Sequence, residues 1–238
     1  MTNKKSFSTA TEDYLKAIYH LRSESAGVST TALAAEMSVA PASATNMIKK
    51  LAAMKLVRHV PYYGVELTPA GEKIALEIVR HHRLIESFLH EALGLDWDEI
   101  HEEANKLEHI LSDNLEDHIA DFLGHPTEDP HGDPIPTKAG VVSAGAKQTL
   151  SDLPSGTHAT IRRVRTQDAA RLRYLRDLGL VPKARVHLIE QSPFEGPVRV
   201  RVERGGEHSL DRELARRIEV TRTRPTESRR RKTRNKQS

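Results

Sequence analysis

The sequence predicts a mainly α chain with a β appendix, and three observations predict it. Apolar residues recur at helical spacing from about Thr11 to Leu123; the Pro/Gly-rich stretch "GHPTEDPHGDPIPTKAG" then breaks that period; and beyond about Thr149 apolar and polar residues alternate. A chain of 238 residues has room for one large domain or two small ones, and for a substantial core.

The first helix starts near Thr11, with Tyr14, Leu15, Ile18 and Leu21 as its apolar stripe. A second begins in "VSTTALAAEM", where Ser29 suits the N-cap and Val28 and Leu33 are placed to staple across it. After a tight "SVA" turn comes "PASATNMIKKLAAMKL". Pro41 suits the first helical position, and Ala44, Met47, Ile48 and Leu51 form a buried stripe at i, i+3, i+4, i+7. Ser43, Thr45, Asn46, Lys49 and Lys50 occupy the other face, small polar and basic groups suited to base edges and phosphates in a major groove. Two short β-prone runs around Tyr63-Gly64 read as a hairpin, and Thr68 and Pro69 as cap and first residue of a long helix. Three helices and a two-stranded wing make a winged helix-turn-helix, placed at residues 1–73.

From Glu72 to Leu123 the pattern stays helical, broken near Gly94, with one helix expected from about Trp97 to Ser112 and another after it. A helical domain over 74–125, a linker over 126–148 and a β domain over 149–222 follow. In the last, "HATIRRV", "ARVHLIEQ", "VRVRVER" and "RIEVTR" read as half-buried strands, "AARLRYLRDLGL" as a short helix, and the whole as a five-strand barrel of SH3 type.

Composition narrows the chemistry. The chain has no cysteine, so a metal here is held by His nitrogen and Asp, Glu or Asn oxygen. No run approaches the roughly 20 apolar residues of a membrane span, and no secretory signal stands at the start, so cytoplasm is the expected location and no membrane partner is expected. The net charge of +3 is uneven: the segment from Arg222 carries eight Lys/Arg and one Glu, which leaves the rest near −4, and residues 223–238 are expected to be a disordered basic tail. Walker, G-x-G-x-x-G, G-x-S-x-G and H-E-x-x-H patterns are missing, so no enzyme is expected.

Eight of the 13 histidines lie between His81 and His131. In "HEEANKLEHILSDNLEDHIADF", His101, Asn105, Glu108 and His109 fall within roughly a quarter of a helix circumference, and a face of N and O donors there can hold a divalent cation. His82 and Glu86, at i and i+4, can join His101 in one cluster; Glu108 and His109 with Asn105 form another, to which Asp13 contributes only if the first helix packs nearby. Solvated charge on exposed helix faces is the competing explanation for each pair.

"TEDYLKAIYHL", "APASATNMIKKLAAMKLV", "ELTPAGEKIA", "HHRLIESFLHEALGLDWDEIHEEANKLEHILSD" and "DPHGDPIP" together resemble the DtxR/MntR family of metal-dependent transcriptional repressors, over nearly the whole chain up to the tail, and the final domain is similar to the FeoA-like SH3 domain of its longer members. The resemblance implies a primary metal site at Asp13, Asn105, Glu108 and His109. It implies an ancillary site at His82, Glu86 and His101, completed in iron sensors by a Glu and a Gln from the barrel, where this chain offers Gln167 or Asp168. Asn105 departs from both the Cys of iron sensors and the Glu of manganese sensors, and Lys16 stands where manganese sensors have another carboxylate. Hard oxygen donors favour Mn2+, with Fe2+ as the alternative. The resemblance further implies a homodimer, joined through helices from about Glu91 to Leu123, that reads a palindromic DNA duplex with Pro41, Ser43, Thr45, Asn46, Lys49 and Lys50, and a role in metal homeostasis.

Two rivals remain from the residues themselves. One is a winged-helix regulator answering a small organic effector, with no regulatory metal. The other is a metallohydrolase or metal-storage protein.

Overall fold

The computed structural model describes residues 7–22, 27–60, 64–145, 148–203 and 205–224. The chain divides into two units that meet at residues 145 and 146. The basic tail beyond residue 224 lies outside the described residues.

In the first unit, α1 (Thr9–Arg22), α2 (Thr30–Glu36) and α3 (Pro41–Ala53) precede a hairpin of β1 (Val57–Val60) and β2 (Gly64–Leu67). Local chemistry starts these helices where the sequence predicts. Ser29 accepts from Ala32 N, and Pro41 opens α3. Leu15, Ile18, Leu33, Ala44, Leu51, Val57 and Val65 close the core, all at most 3% exposed. Val28 adds a bridge to the wing: its N–H donates to Val65 O at 3.1 Å, and Val65 N returns the bond at 2.9 Å. Gly64 makes that approach feasible, because it sits at φ +96° and a Cβ there would lie 2.2 Å from Val28 O.

The long α4 (Pro69–Leu93) links this core to the next one. Thr68 caps it, accepting from Gly71 N and donating to Leu56 O. Gly71 is required because a Cβ would meet Leu56 O at 2.0 Å. Left-handed Gly94 ends the helix, with its N–H on His90 O. Further along, α4 packs Leu84 with Ile119, Ala120 and Ile135, beside Phe88.

Two expectations change here. The helix expected over Trp97–Ser112 is shorter, α5 (Ile100–Leu107), and a turn separates it from α6 (Asp113–Phe122). Ser112 caps α6, so the chain must leave the α5 axis before it. The segment expected as a linker is in part folded: Arg83 donates to Pro134 O at 2.6 Å, Arg80 to Pro136 O at 2.8 Å, and Asp129, His131 and Ile135 are buried. Its prolines forbid helix, yet their carbonyls are good acceptors for arginines on α4.

The second unit is an antiparallel sheet in the order β3-β8-β4-β5-β6-β7. Its strands are β3 (Gln148–Thr149), β4 (His158–Val164), β5 (Arg185–Gln191), β6 (Val198–Val202), β7 (Glu207–Leu210) and β8 (Ile218–Arg222), with helices α7 (Ala169–Asp177) and α8 (Arg212–Arg217). Alternation in β6, buried at each valine and exposed at each arginine, shows why it was legible. The sheet has six strands where a five-strand barrel was expected and four strands were located: β3 is two residues long and β7 carries one buried residue, so neither of these two has a pattern to read.

Candidate metal centre

Two elements of α4's neighbourhood bring the donors together. His82 and Glu86 lie one turn apart on α4, and α5 lays His101 against them. His82 Nε2 is 2.9 Å from Glu86 Oε1 and 3.0 Å from His101 Nδ1, and His101 Nδ1 is 3.2 Å from Glu86 Oε1. His82 Nδ1 donates to Glu108 Oε2 at 2.5 Å. A carboxylate on one ring nitrogen sets the tautomer and orients the other as a ligand.

The second cluster forms where α5 ends against α1. His109 Nε2 lies 2.8 Å from Asp13 Oδ1 and 3.4 Å from Glu108 Oε1, and His109 Nδ1 donates to Glu12 Oε2 at 2.7 Å. Lys16 Nζ donates to Asn105 Oδ1 at 2.9 Å and pairs with Glu108 Oε1. Asp13, Glu108 and His109 each offer a ligand atom within 4.8 Å of the others, as do His82, Glu86 and His101. The donor sets, nitrogen and hard oxygen on converging side chains, fit a divalent cation.

Electrostatics follow from burial. Burial opposes the charge on His82, but Glu86 and Glu108 outweigh it and hold its pKa at about 9. Burial likewise opposes the Glu86 carboxylate, and His82 with the neighbouring histidines holds its pKa well below the ordinary carboxylate range. The hydrogen bond to Asp13 raises the pKa of His109. Glu108, 1% exposed, is lowered because His82 and Lys16 outweigh its desolvation.

Asp168 lies in the second unit and caps α7, its Oδ1 accepting from Arg171 N at 2.8 Å. Sequence reasoning missed Glu12, Asp129 and His131. His131 Nε2 donates to Trp97 O at 2.8 Å, while its Nδ1 faces Glu86 Oε2 at 3.8 Å and Asp129 Oδ1 at 3.9 Å. Glu86, Asp129 and His131 thus form a further N/O group, all buried. The only sequence signal for it was the "DPHGD" run, disguised by its prolines as linker.

On α3, Pro41, Ser43, Asn46, Lys49 and Lys50 are exposed, and Thr45, half-buried, donates its hydroxyl to Pro41 O at 2.8 Å. A winged helix whose first helix shares a His/carboxylate cluster with the adjoining helical domain defines a metal-dependent DNA-binding regulator.

Comparison with known proteins agrees with that class. Residues 6–65 match the iron dependent repressor N-terminal DNA binding domain, 68–137 the iron dependent repressor metal binding and dimerisation domain, and 148–222 the FeoA domain. The chain is 32% identical over 198 residues to the iron-dependent repressor IdeR of Mycobacterium leprae, covering 77% of this chain and 84% of that one. A solved manganese-dependent transcriptional repressor in complex with manganese superposes with a TM-score of 0.83 at 36% identity, covering 90% of this chain and 100% of the other. ScaR with bound Zn2+ gives 0.78 at 33% identity, over 90% and 99% of the two chains. The chain belongs to the iron-dependent repressor family, the metal-dependent transcriptional repressors. Among the described residues no helix is long and apolar enough to cross a membrane.

Proposed function

We propose that this protein is a homodimeric regulator that binds palindromic operator DNA when loaded with Mn2+, Fe2+ being the alternative ion, and so controls metal-homeostasis genes from the cytoplasm. The observation that carries the reading is the 2.8 Å approach of Asp13, on the first helix of the winged domain, to His109 at the end of α5. Asp13, Asn105, Glu108 and His109 would hold one ion, and His82, Glu86 and His101 a second. When bound, the ion supplies positive charge shared by donors on two separate elements. Asp13 then ties the reading head to the helical domain, and the metal favours that arrangement by as much as its affinity differs between arrangements. The side chains of Asn105 and Asp13 are hard donors, which supports Mn2+. Asp168 has one carboxylate oxygen in a helix cap, so the second site is assigned without it.

Exposed apolar residues support the dimer. Leu107 and Ile110 flank the α5–α6 turn, Leu115 lies in the first turn of α6 and Phe122 ends that helix, Ile110 at 76% and Phe122 at 66% exposure, apolar surface that burial against a second copy would stabilise. A two-fold dimer would set its α3 helices about 34 Å apart, one turn of DNA. Ser43, Thr45 and Asn46 would then face bases, with Lys49 and Lys50 nearer phosphates.

The test is binding to a panel of palindromic duplexes at fixed salt, with chelated protein titrated separately with Mn2+, Fe2+ and Zn2+. Binding that requires metal is the expected result and shows which ion suffices. Equal binding without metal would overturn the metal-activated reading.

A further inference from the structure

Glu108 and Asn105 have few acceptor positions to share. Glu108 Oε2 is engaged by His82 Nδ1, which leaves Oε1 for the first site; Asn105 has a single acceptor, Oδ1. Lys16 Nζ donates to both of these atoms, Oε1 of Glu108 and Oδ1 of Asn105. Its stem is packed, the side chain being 16% exposed, and its partner carboxylate is fully buried. Lys16 lies three residues after Asp13 on α1, so both project from the same face of the helix. One helix therefore presents a metal ligand and an ammonium to the same cluster.

His82 and His109 also stand against the Glu108 carboxylate, but a neutral imidazole offers a ligand nitrogen. An ammonium has three donors and no acceptor, so it cannot ligate a cation and can only compete with it.

We infer that Lys16 is a tethered cation that competes with the divalent ion for Glu108 and Asn105, and so sets the free-metal concentration at which the first site fills. This rests on the regulatory reading above. Lys16 also joins α1 to α5 through the same two residues the metal would use, so the site exchanges one interhelical cation for another. The partial exposure of Lys16 gives its flexible stem a route to solvent when the ion enters.

The experiment uses the full chain with His101→Ala to isolate the first site, and measures Mn2+ affinity by competition with a fluorescent chelator. Lys16→Met and Lys16→Gln each remove the charge; Lys16→Arg keeps it. Removing a like charge a few ångströms from a dication is expected to tighten Mn2+ binding at least about tenfold in the first two, while Lys16→Arg stays near the parent. The thermal midpoint of the chelated protein is expected to fall in Lys16→Met, because Glu108 loses its counter-charge. Unchanged or weaker Mn2+ affinity in both neutral variants would overturn the inference while leaving the regulator intact. Failure of the parent chain itself to take up Mn2+, Fe2+ or Zn2+ would overturn the regulatory reading and this inference together.

Discussion

Glu108→Gln probes whether a single carboxylate serves both metal clusters. In the structure Oε2 accepts from His82 Nδ1 at 2.5 Å, while Oε1 pairs with Lys16 and lies 3.4 Å from His109 Nε2. Glutamine has nearly the same shape but one acceptor oxygen, an NH2 group and no charge. Whichever way the amide turns, one side of the residue loses an acceptor. With the NH2 toward His82, the imidazole loses the partner that orients it, a change that typically lowers metal affinity about 10- to 100-fold, or about 1.4 to 2.7 kcal/mol. With the NH2 toward His109, the first site loses its buried oxygen ligand. The missing charge weakens both sites in either orientation. Because Glu108 is 1% exposed and His82 5%, the protein should also lose up to about 3 kcal/mol of stability, as buried His82 and half-buried Lys16 lose a counter-charge. A two-site Mn2+ titration by calorimetry, alongside Asp13→Ala, separates the cases. Asp13→Ala is expected to weaken the first site alone, and Glu108→Gln both. Second-site affinity equal to the parent's in Glu108→Gln would refute the bridging argument.

Three further outcomes follow from the same geometry. Lys50→Ala should weaken DNA binding about equally across sequences and shallow its salt dependence by roughly one unit of slope, whereas Asn46→Ala should change sequence preference; a selection on randomised duplexes checks both, and an unaltered Asn46→Ala preference refutes that role. His82, with a pKa of about 9, is protonated near neutral pH, so filling its site should release roughly one proton per chain. Calorimetry in buffers of different ionisation enthalpy measures this, and affinity should rise with pH up to about 9. Burial works against the Glu116 carboxylate, but His81 and Arg80 outweigh it and hold its pKa at about 2 against an ordinary 4.5. A lowered carboxylate pKa gives stability that is complete above 4.5 and disappears as pH falls from there towards 2, here on the order of 3 kcal/mol. Glu116→Gln should remove that component, so that acid titrations of the variant are flatter over the same window.

The sequence by itself determined much of the local structure. Ser29, Pro41, Thr68 and Gly94 mark helix ends through bonds that reach only a turn away, and the stripe of Ala44, Ile48 and Leu51 requires nothing beyond the helical period. Strands β4, β5 and β6 were legible because one face is more buried than the other, whereas β8 buries Ile218, Glu219 and Val220 in succession and was read from its apolar and polar alternation alone. His82 and Glu86 were legible as a pair for the same reason, being neighbours on one helix.

The tertiary structure decided everything that depends on a long loop closing. Periodicity left Asp13 as a conditional ligand, and only the packing of α1 against α4 and the end of α5 brings it to His109. Glu12 and His109 are 97 residues apart in sequence and 2.7 Å apart in space. Helix α5 ends at Leu107, before the apolar pattern runs out, and Glu108 just beyond it stands with each oxygen toward a different cluster. Residues 128–136 show the limit most plainly. Their prolines carry a loop signal whether the loop is solvated or buried, and what buries it is Arg80 and Arg83 on α4, the Leu84 cluster around Ile135 and the Trp97 ring stacked on His131, none of which a local pattern connects to them. Local hydrogen bonds and hydrophobic period are written in neighbouring residues; the convergence of charged groups is set by which surfaces bury each other, and that is a property of the whole chain.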